Sequence, residues 1–114
     1  MASLETSYLG LKLKNPVIAG SSGMTNSVKD IIELEKHGAA AVVLKTIFEE
    51  EILQGMEKLI PGTNDQSHDP MAFDYHYYEV KDKKLSAYLK LINETKRSVD
   101  IPVIASINCT SSYE

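Results

Sequence analysis

The most informative pattern along the chain is an apolar run that ends abruptly in two polar residues. Residues 39–44 read AAAVVL, and Lys45 and Thr46 follow them directly. A continuous run of small and β-branched residues predicts a strand that is buried on both faces, as in a parallel α/β sheet. Sheets of this kind bind their ligands at the carboxyl ends of the strands. Lys45 and Thr46 are therefore candidate site residues.

Two other segments follow the same plan of an apolar strand and then a polar turn. Residues 15–23 read NPVIAGSSG, which predicts a strand over 17–19 and a turn over 20–25. Residues 101–112 read IPVIASINCTSS, which predicts a strand over 103–107 with a polar cluster after it. We expect the polar ends of these strands to meet at one edge of a sheet and to form a ligand site there.

The spacing of apolar residues predicts two helices. Residues 28–37 carry most of their apolar side chains on one helical face. Asn26 or Ser27 is the expected N-cap, and Gly38 is the expected left-handed C-cap. Residues 83–98 have apolar positions at i, i+3, i+4 and i+7, which is the clearest helical pattern in the chain.

The remaining segments are a hairpin and a long loop. Residues 4–14 turn near Leu9 and Gly10 and predict a short antiparallel ribbon. Residues 47–81 have weak periodicity and several turn formers, Pro70 among them, so they predict a functional loop after a strand. Within this loop, residues 48–58 fit a helical turn and a pair of strands equally well.

The predicted order is hairpin, strand, helix, strand, long loop, helix and strand. Three parallel strands and two helices leave sheet edges and one flank uncovered. A complete (β/α)8 TIM barrel needs about 250 residues. We therefore expect an α/β fold in which residues 1–114 are the N-terminal part of a single TIM-barrel domain, incomplete in this chain.

Composition and charge narrow the classes of partner. The chain has 43% hydrophobic and 25% charged residues and a formal net charge of −4, with no basic stripe. We therefore expect no nucleic-acid partner and no membrane partner. The N-terminus lacks the features of a signal peptide, no apolar stretch has the length of a membrane span, and a single cysteine excludes an internal disulfide. A cytoplasmic location is expected.

By three of its segments, the chain resembles the dihydroorotate dehydrogenase family of FMN-dependent (β/α)8 barrels. The segments are GLKLKNPVIAGSSG at residues 10–23, EKHGAAAVVLKT at 35–46 and IPVIASIN at 101–108. The resemblance covers essentially the whole chain, as the N-terminal part of a longer family chain. It implies an oxidoreductase that binds FMN and oxidises dihydroorotate to orotate by hydride transfer to the flavin, in pyrimidine biosynthesis.

The resemblance also implies roles for individual residues. Lys45 would be the catalytic residue that offsets charge on the flavin and the substrate. Residues 4–14 would close the bottom of the barrel, and the end of the third strand, near Ser106 and Asn108, would face the flavin pocket. The cofactor-binding residues that the resemblance implies are Ala19, Gly20, Ser21, Lys45, Thr46 and Asn108.

Departures from the family leave the substrate and the completeness of the site open. Members specific for dihydroorotate carry an N-x-M-G-L-x-N stretch that residues 67–75 do not match, so a flavin barrel acting on another pyrimidine is an alternative. The family's catalytic base and FMN phosphate loops belong to later segments, so this chain alone would be incomplete for catalysis. The expected partners are a small pyrimidine substrate and either a homo-oligomer or the remainder of the barrel. A further alternative is a non-catalytic, truncated β/α fragment that self-associates.

Several candidate residues also admit a plainer interpretation. Lys45 could be a structural lysine of the rim, or a Schiff-base lysine. Gly20, Ser21 and Gly23 could form only a tight turn. Cys109 is expected to be a buried thiol that behaves as a small hydrophobic residue. The histidines have no metal-ligand spacing with the cysteine, so no metal site is expected.

Overall fold

The computed structural model of the chain describes the backbone of residues 2–48 and 70–109 and the side chains of residues 2–48 and 78–109. The strands of this mixed α/β structure are β1 (Thr6–Tyr8), β2 (Leu11–Leu13), β3 (Ile18–Ala19), β4 (Ala41–Val43), β5 (Ile47–Phe48), β6 (Val103–Ile104) and β7 (Ile107–Asn108). The helices are α1 (Val28–Lys36) and α2 (Pro70–Ser98), with a 3-10 turn over Gly23–Thr25. Neither of the two described α-helices is apolar enough over a sufficient length to cross a membrane.

Contacts divide the chain into two compact units. The first unit runs as far as Thr46 and resumes over Lys90–Ile107. It contains the hairpin of β1 and β2, the strands β3, β4 and β6, helix α1 and the last turns of α2. The second unit contains β5, the part of α2 that ends at Leu89, and Asn108.

A parallel sheet in the order β3-β4-β6 organises the first unit. Ala19 lies beside Val42 in the register, and Val43 lies beside Ile104. Residues 39–42 and Leu44 are buried, and β4 has a hydrogen-bonded neighbour on each side. The sequence prediction of a buried strand in a parallel sheet is confirmed.

Hydrogen bonds close both ends of α1. At its start, the Ser27 hydroxyl accepts from the N–H of Asp30 at 3.3 Å and donates to the Asp30 carboxylate at 2.8 Å. At its end, Gly38 has a φ of +102°, and the N–H of Ala39 donates to the carbonyl of Leu34 at 3.1 Å, as in a Schellman motif. Ser27 is therefore the N-cap, and the predicted left-handed C-cap at Gly38 is confirmed.

The hairpin packs against the amino end of the parallel sheet. Its strands β1 and β2 pair in antiparallel fashion, as the sequence predicts. Leu13 is 3% exposed and forms a core cluster with Ala40 and Ala41, and Leu11 and Ile18 pack against this cluster. Burial of a leucine side chain contributes about 2 kcal/mol to stability, so Leu13 fixes the hairpin to β4.

Two polar side chains join the amino edge of the sheet to the neighbouring loops. Glu35, near the end of α1, accepts with Oε2 from the N–H of Asp100 at 2.8 Å and from that of Ile101 at 3.3 Å. The Nδ2 of Asn15 donates to the carbonyl of Gly38 at 2.8 Å. These bonds give partners to backbone groups that lie outside the helices and strands.

Helix α2 begins much earlier than the sequence pattern predicts. The pattern predicts a helix over 83–98 and a loop over 47–81, whereas the helix occupies Pro70–Ser98. The loop prediction is therefore wrong for residues 70–81, and also for residues 47–48, which form β5. Proline suits the first turn of a helix because its missing N–H has no helical partner there, so Pro70 marks a start and not a break. The rest of the predicted loop, over 49–69, lies outside the described residues.

The third parallel strand is shorter than predicted. The sequence predicts a strand over 103–107, but β6 ends at Ile104 and β7 begins at Ile107. In the ladder between β4 and β6, the N–H of Leu44 donates to the carbonyl of Ile104 at 2.8 Å. Beyond β6, the Ser106 hydroxyl is hydrogen-bonded to the Thr46 hydroxyl at 2.8 Å.

Leu9 occupies an unfavourable backbone conformation at the tip of the hairpin. Its φ is +49° and that of Gly10 is +79°, as in a type I′ turn, while its side chain is 83% exposed. Asparagine before glycine is favoured in this turn, so we expect Leu9→Asn to raise the free energy of unfolding in urea by about 1 kcal/mol. Leu4→Asn removes another exposed leucine and should change it by less than about 0.5 kcal/mol. Equal shifts in both variants would contradict the backbone explanation.

Thr95 in α2 is fully buried, and its hydroxyl has no hydrogen-bond partner among the described residues. Burying a hydroxyl in this way costs about 1–3 kcal/mol. Thr95→Val keeps the shape of the side chain and should raise the free energy of unfolding by about 1 kcal/mol. Thr95→Ser keeps the hydroxyl, loses a methyl group and should lower the same quantity by about 1 kcal/mol. Thermal unfolding of the three proteins checks this, and a destabilised valine variant would refute it.

Candidate functional site

The carboxyl edge of the parallel sheet carries the residues that the sequence predicts for a site. Ala19 ends β3 and is half-buried, and the exposed Gly20 and Ser21 follow it. Lys45 and Thr46 follow β4, and both are half-buried. All five residues belong to the first unit. The structure therefore brings two of the predicted polar strand ends to the same edge.

Three hydroxyl groups form a continuous hydrogen-bonded chain along this edge. The hydroxyl oxygens of Ser21 and Thr46 lie 2.9 Å apart, and those of Thr46 and Ser106 lie 2.8 Å apart. The N–H of Thr46 also donates to the Ser21 oxygen at 2.8 Å. This hydroxyl chain of Ser21, Thr46 and Ser106 links the segments that follow β3, β4 and β6.

The parallel order of the strands brings the segments that carry the three hydroxyls to one edge. Ser21 stands two residues beyond the end of β3, and Ser106 stands two residues beyond the end of β6. Thr46 stands three residues beyond the end of β4, the strand between them. Parallel strands end at the same edge of a sheet, and the bonds among these side chains form in the segments that leave the sheet there.

A capping box fixes the turn that follows Ser21. The Ser22 hydroxyl accepts from the N–H of Met24 at 3.2 Å, and the Thr25 hydroxyl accepts from the N–H of Ser22 at 3.2 Å. Thr25 is fully buried, and its carbonyl accepts from the N–H of Lys45 at 3.4 Å. The turn after β3 is therefore bonded to the segment after β4, which holds Ser21 in place.

Lys45 supplies positive charge at this edge. Among the described side chains, no carboxylate forms an ion pair with its ammonium group, whereas the more exposed Lys36, Lys83 and Lys90 each pair with a glutamate. A half-buried lysine with no carboxylate partner among the described side chains favours a ligand that carries negative charge or develops it. Lys45 can therefore bind an anionic or electron-rich group.

Open space adjoins the backbone at Gly20. A Cβ built on Gly20 would meet no described atom within 4 Å, so the fold itself does not require glycine here. Space beside a strand end, hydroxyl donors and a cation are the features that a polar heterocyclic ring system needs. Gly20, Lys45 and the hydroxyl chain could therefore contact a polar ligand that has hydrogen-bond acceptors.

Two residues beyond the third parallel strand take no part in the hydroxyl chain. Asn108 ends β7, is exposed and belongs to the second unit. Cys109 is also exposed, so the prediction of a buried thiol is wrong. Cys109 directly follows β7, whose residues Ile107 and Asn108 are themselves exposed, so this strand does not lead into a core.

Ser106 has a larger part in the candidate site than the sequence predicts. The resemblance assigns it only loosely to the flavin pocket, and its bond to Thr46 was not predicted. A signal is present in the sequence, because Ile18-Ala19-Gly20-Ser21 and Ile104-Ala105-Ser106 each put a serine two residues after the end of a strand. Two serines at equal offsets on the outer strands frame the central Thr46.

His37 belongs to the end of α1. The ring Nδ1 of His37 lies 2.7 Å from the carbonyl oxygen of Glu33, and the backbone N–H of His37 donates to the same oxygen at 3.1 Å. Over residues 2–48 and 78–109, no group of three His, Cys, Asp or Glu side chains is arranged to hold a metal ion. The side chains of His68 and His76 lie outside the described residues.

Comparison of the chain with protein-family models, with curated proteins and with solved structures gives no match. The candidate site is therefore defined by its own residues and geometry: a cation, three linked hydroxyls and open space at the carboxyl edge of a parallel sheet. This arrangement can donate hydrogen bonds to a polar ligand and stabilise negative charge on it.

Proposed function

We propose that the chain is the N-terminal part of an FMN-dependent oxidoreductase of the dihydroorotate dehydrogenase type, built on a (β/α)8 barrel. The proposed reaction is the oxidation of dihydroorotate to orotate. The order β3-β4-β6, parallel and sequential along the chain, is compatible with the first three strands of such a barrel. The hairpin packed at the amino end of β4 is compatible with a closed barrel bottom.

One observation carries the proposal. Ser21, Thr46 and Ser106, which follow three neighbouring parallel strands, are hydrogen-bonded to one another at the carboxyl edge, and Lys45 lies next to Thr46 in the chain. Barrel enzymes assemble their sites from the loops at this edge. A purely structural edge would not need a half-buried cation without a carboxylate partner among the described residues.

The residues have distinct proposed roles. FMN, when bound, would supply the hydride-accepting chemistry of the reaction. Lys45 would stabilise the negative charge that develops as the substrate is oxidised, and Ala19, Gly20 and Ser21 would lie against the ring system. Asn108 is proposed as a further cofactor contact from the resemblance alone. The general base would come from a later family segment, as the resemblance implies.

The proposed setting follows from charge and composition. A net charge of −4 and the lack of a basic stripe favour a small-molecule substrate over a nucleic acid. A single cysteine is compatible with the cytoplasm. The substrate is a pyrimidine in this proposal, and the remainder of the barrel, or a second copy of the chain, would cover the open edges of the sheet.

Titration of the protein, as its cell makes it, with FMN tests the proposal. We expect saturable quenching of flavin fluorescence, followed by anaerobic bleaching of the flavin absorbance when dihydroorotate is added. Bleaching by a different dihydropyrimidine alone would assign the alternative substrate. Self-association without any flavin binding would refute the enzyme and favour the non-catalytic fragment.

Lys45→Ala tests the role of the cation. Loss of an electrostatic stabiliser of this kind lowers a rate by about 100-fold, so we expect that decrease in the rate of flavin reduction by substrate. Lys45→Arg should retain part of the rate because it keeps the charge. Lys29→Ala, an exposed lysine of α1, is the matched control and should have the wild-type rate. Unchanged turnover in Lys45→Ala would remove the proposed role.

A further inference from the structure

We infer that the hydroxyl chain is a reversible hydrogen-bond relay, in which Thr46 and Ser106 determine whether Ser21 offers a donor or an acceptor to the ligand. Thr46 and Ser106 are then positioning residues that act through Ser21. The inference deepens the proposed function and rests on it, because the ligand concerned is the proposed flavin. It follows from the protons and lone pairs of the Ser21 and Thr46 hydroxyls.

The Ser21 oxygen is hydrogen-bonded to both the backbone N–H and the hydroxyl of Thr46. A hydroxyl has one proton to donate and two lone pairs that accept. The N–H of Thr46 occupies one lone pair of Ser21 permanently, at 2.8 Å, since a backbone amide can only donate. One lone pair and one proton of Ser21 are left for the Thr46 hydroxyl, 2.9 Å away, and for a ligand.

In one direction of the relay, the Thr46 hydroxyl donates to Ser21. Both lone pairs of Ser21 are then occupied, so its proton is available to a ligand and it can act only as a donor. Thr46 has used its single proton, so its bond to Ser106 at 2.8 Å requires Ser106 to be the donor. Each bond polarises the next, which strengthens the donor at the Ser21 end.

In the opposite direction, Ser21 donates to the Thr46 hydroxyl. Its remaining lone pair then faces the ligand, and Ser21 can act only as an acceptor. The proton of Thr46 is released for donation to Ser106. Reversing the direction of donation between Ser21 and Thr46 therefore moves no heavy atom and requires only rotation of hydroxyl hydrogens. Thr46 is the residue through which Ser21 and Ser106 are linked.

A relay of this kind fits a ligand atom that accepts a hydrogen bond in one state and donates one in another. Ring nitrogens that gain a proton on reduction have this property, and flavins contain such nitrogens. A fixed donor, such as a backbone N–H or an ammonium group, would favour only one of the two states. The hydroxyl chain can satisfy both states at the same geometry.

The test is a mutant cycle on the affinity for FMN, measured by fluorescence quenching. Thr46→Val removes the central hydroxyl without changing shape and should weaken binding by about five- to tenfold, whereas Thr46→Ser should restore most of it. Ser106→Ala should weaken binding about threefold when Thr46 is present and have no effect in the Thr46→Val background. An equal effect of Ser106→Ala in both backgrounds would mean direct contact and would overturn the relay.

A second measurement needs no flavin. The Thr46 amide should exchange its hydrogen about tenfold faster in Ser21→Ala, because the mutation removes its acceptor. Ser98→Ala is the matched control, since the Ser98 hydroxyl donates to the carbonyl of Glu94 at 2.8 Å away from this edge. Unchanged exchange in Ser21→Ala would overturn the relay whatever binds. Faster exchange without flavin binding in any variant would refute the proposed function and with it the flavin-linked role.

Discussion

Backbone hydrogen bonds on both sides of β4 are the constraint on which the first unit depends. β4 is hydrogen-bonded to β3 on one side and to β6 on the other. Residues 39–42 and Leu44, in and beside β4, are buried. A strand paired on both sides cannot shift by one residue without moving its side chains to the other face and breaking both ladders. The position of Thr46 relative to Ser21 and Ser106 is therefore set by main-chain bonding.

The amino and carboxyl edges of this sheet differ in what their polar side chains do. At the amino edge, Glu35 and Asn15 bond to backbone groups of neighbouring loops, and these bonds are directed into the fold. At the carboxyl edge, the hydroxyls of Ser21, Thr46 and Ser106 are hydrogen-bonded in sequence. The same sheet thus has one edge occupied with structural bonds and one edge whose polar groups form their own network, which is the separation expected of α/β folds with a site at the carboxyl edge.

The parts of the fold that the sequence predicts well are those with strong local signals. The buried run over 39–44, the caps of α1 at Ser27 and Gly38, and the turn at Leu9 each depend on a few neighbouring residues, and each is present. The start of α2 at Pro70 was missed because proline has the same local preference in a turn and at a helix start. The choice between the two depends on residues that follow it, and their periodicity is weak.

The candidate site shows the same division between local and long-range information. Lys45 and Thr46 are conspicuous because charge and hydroxyl follow an apolar run. The bond between Thr46 and Ser106 joins residues 60 positions apart, and Cys109 follows an exposed strand. Neither fact is encoded in a local pattern, because both depend on contacts that form only in the folded chain.

The carboxylate of Glu35 has a consequence for the order of folding. Its partners, the N–H groups of Asp100 and Ile101, lie 65 and 66 positions away along the chain. Closing a loop of this length costs more conformational entropy than forming the contacts among β3, α1 and β4, which lie within about thirty residues of one another. During synthesis, the β3-α1-β4 segment can therefore assemble first, with one side of β4 unpaired. Until β6 emerges from the ribosome, that side is an open strand edge, and the nascent chain is most exposed to wrong pairing during this interval.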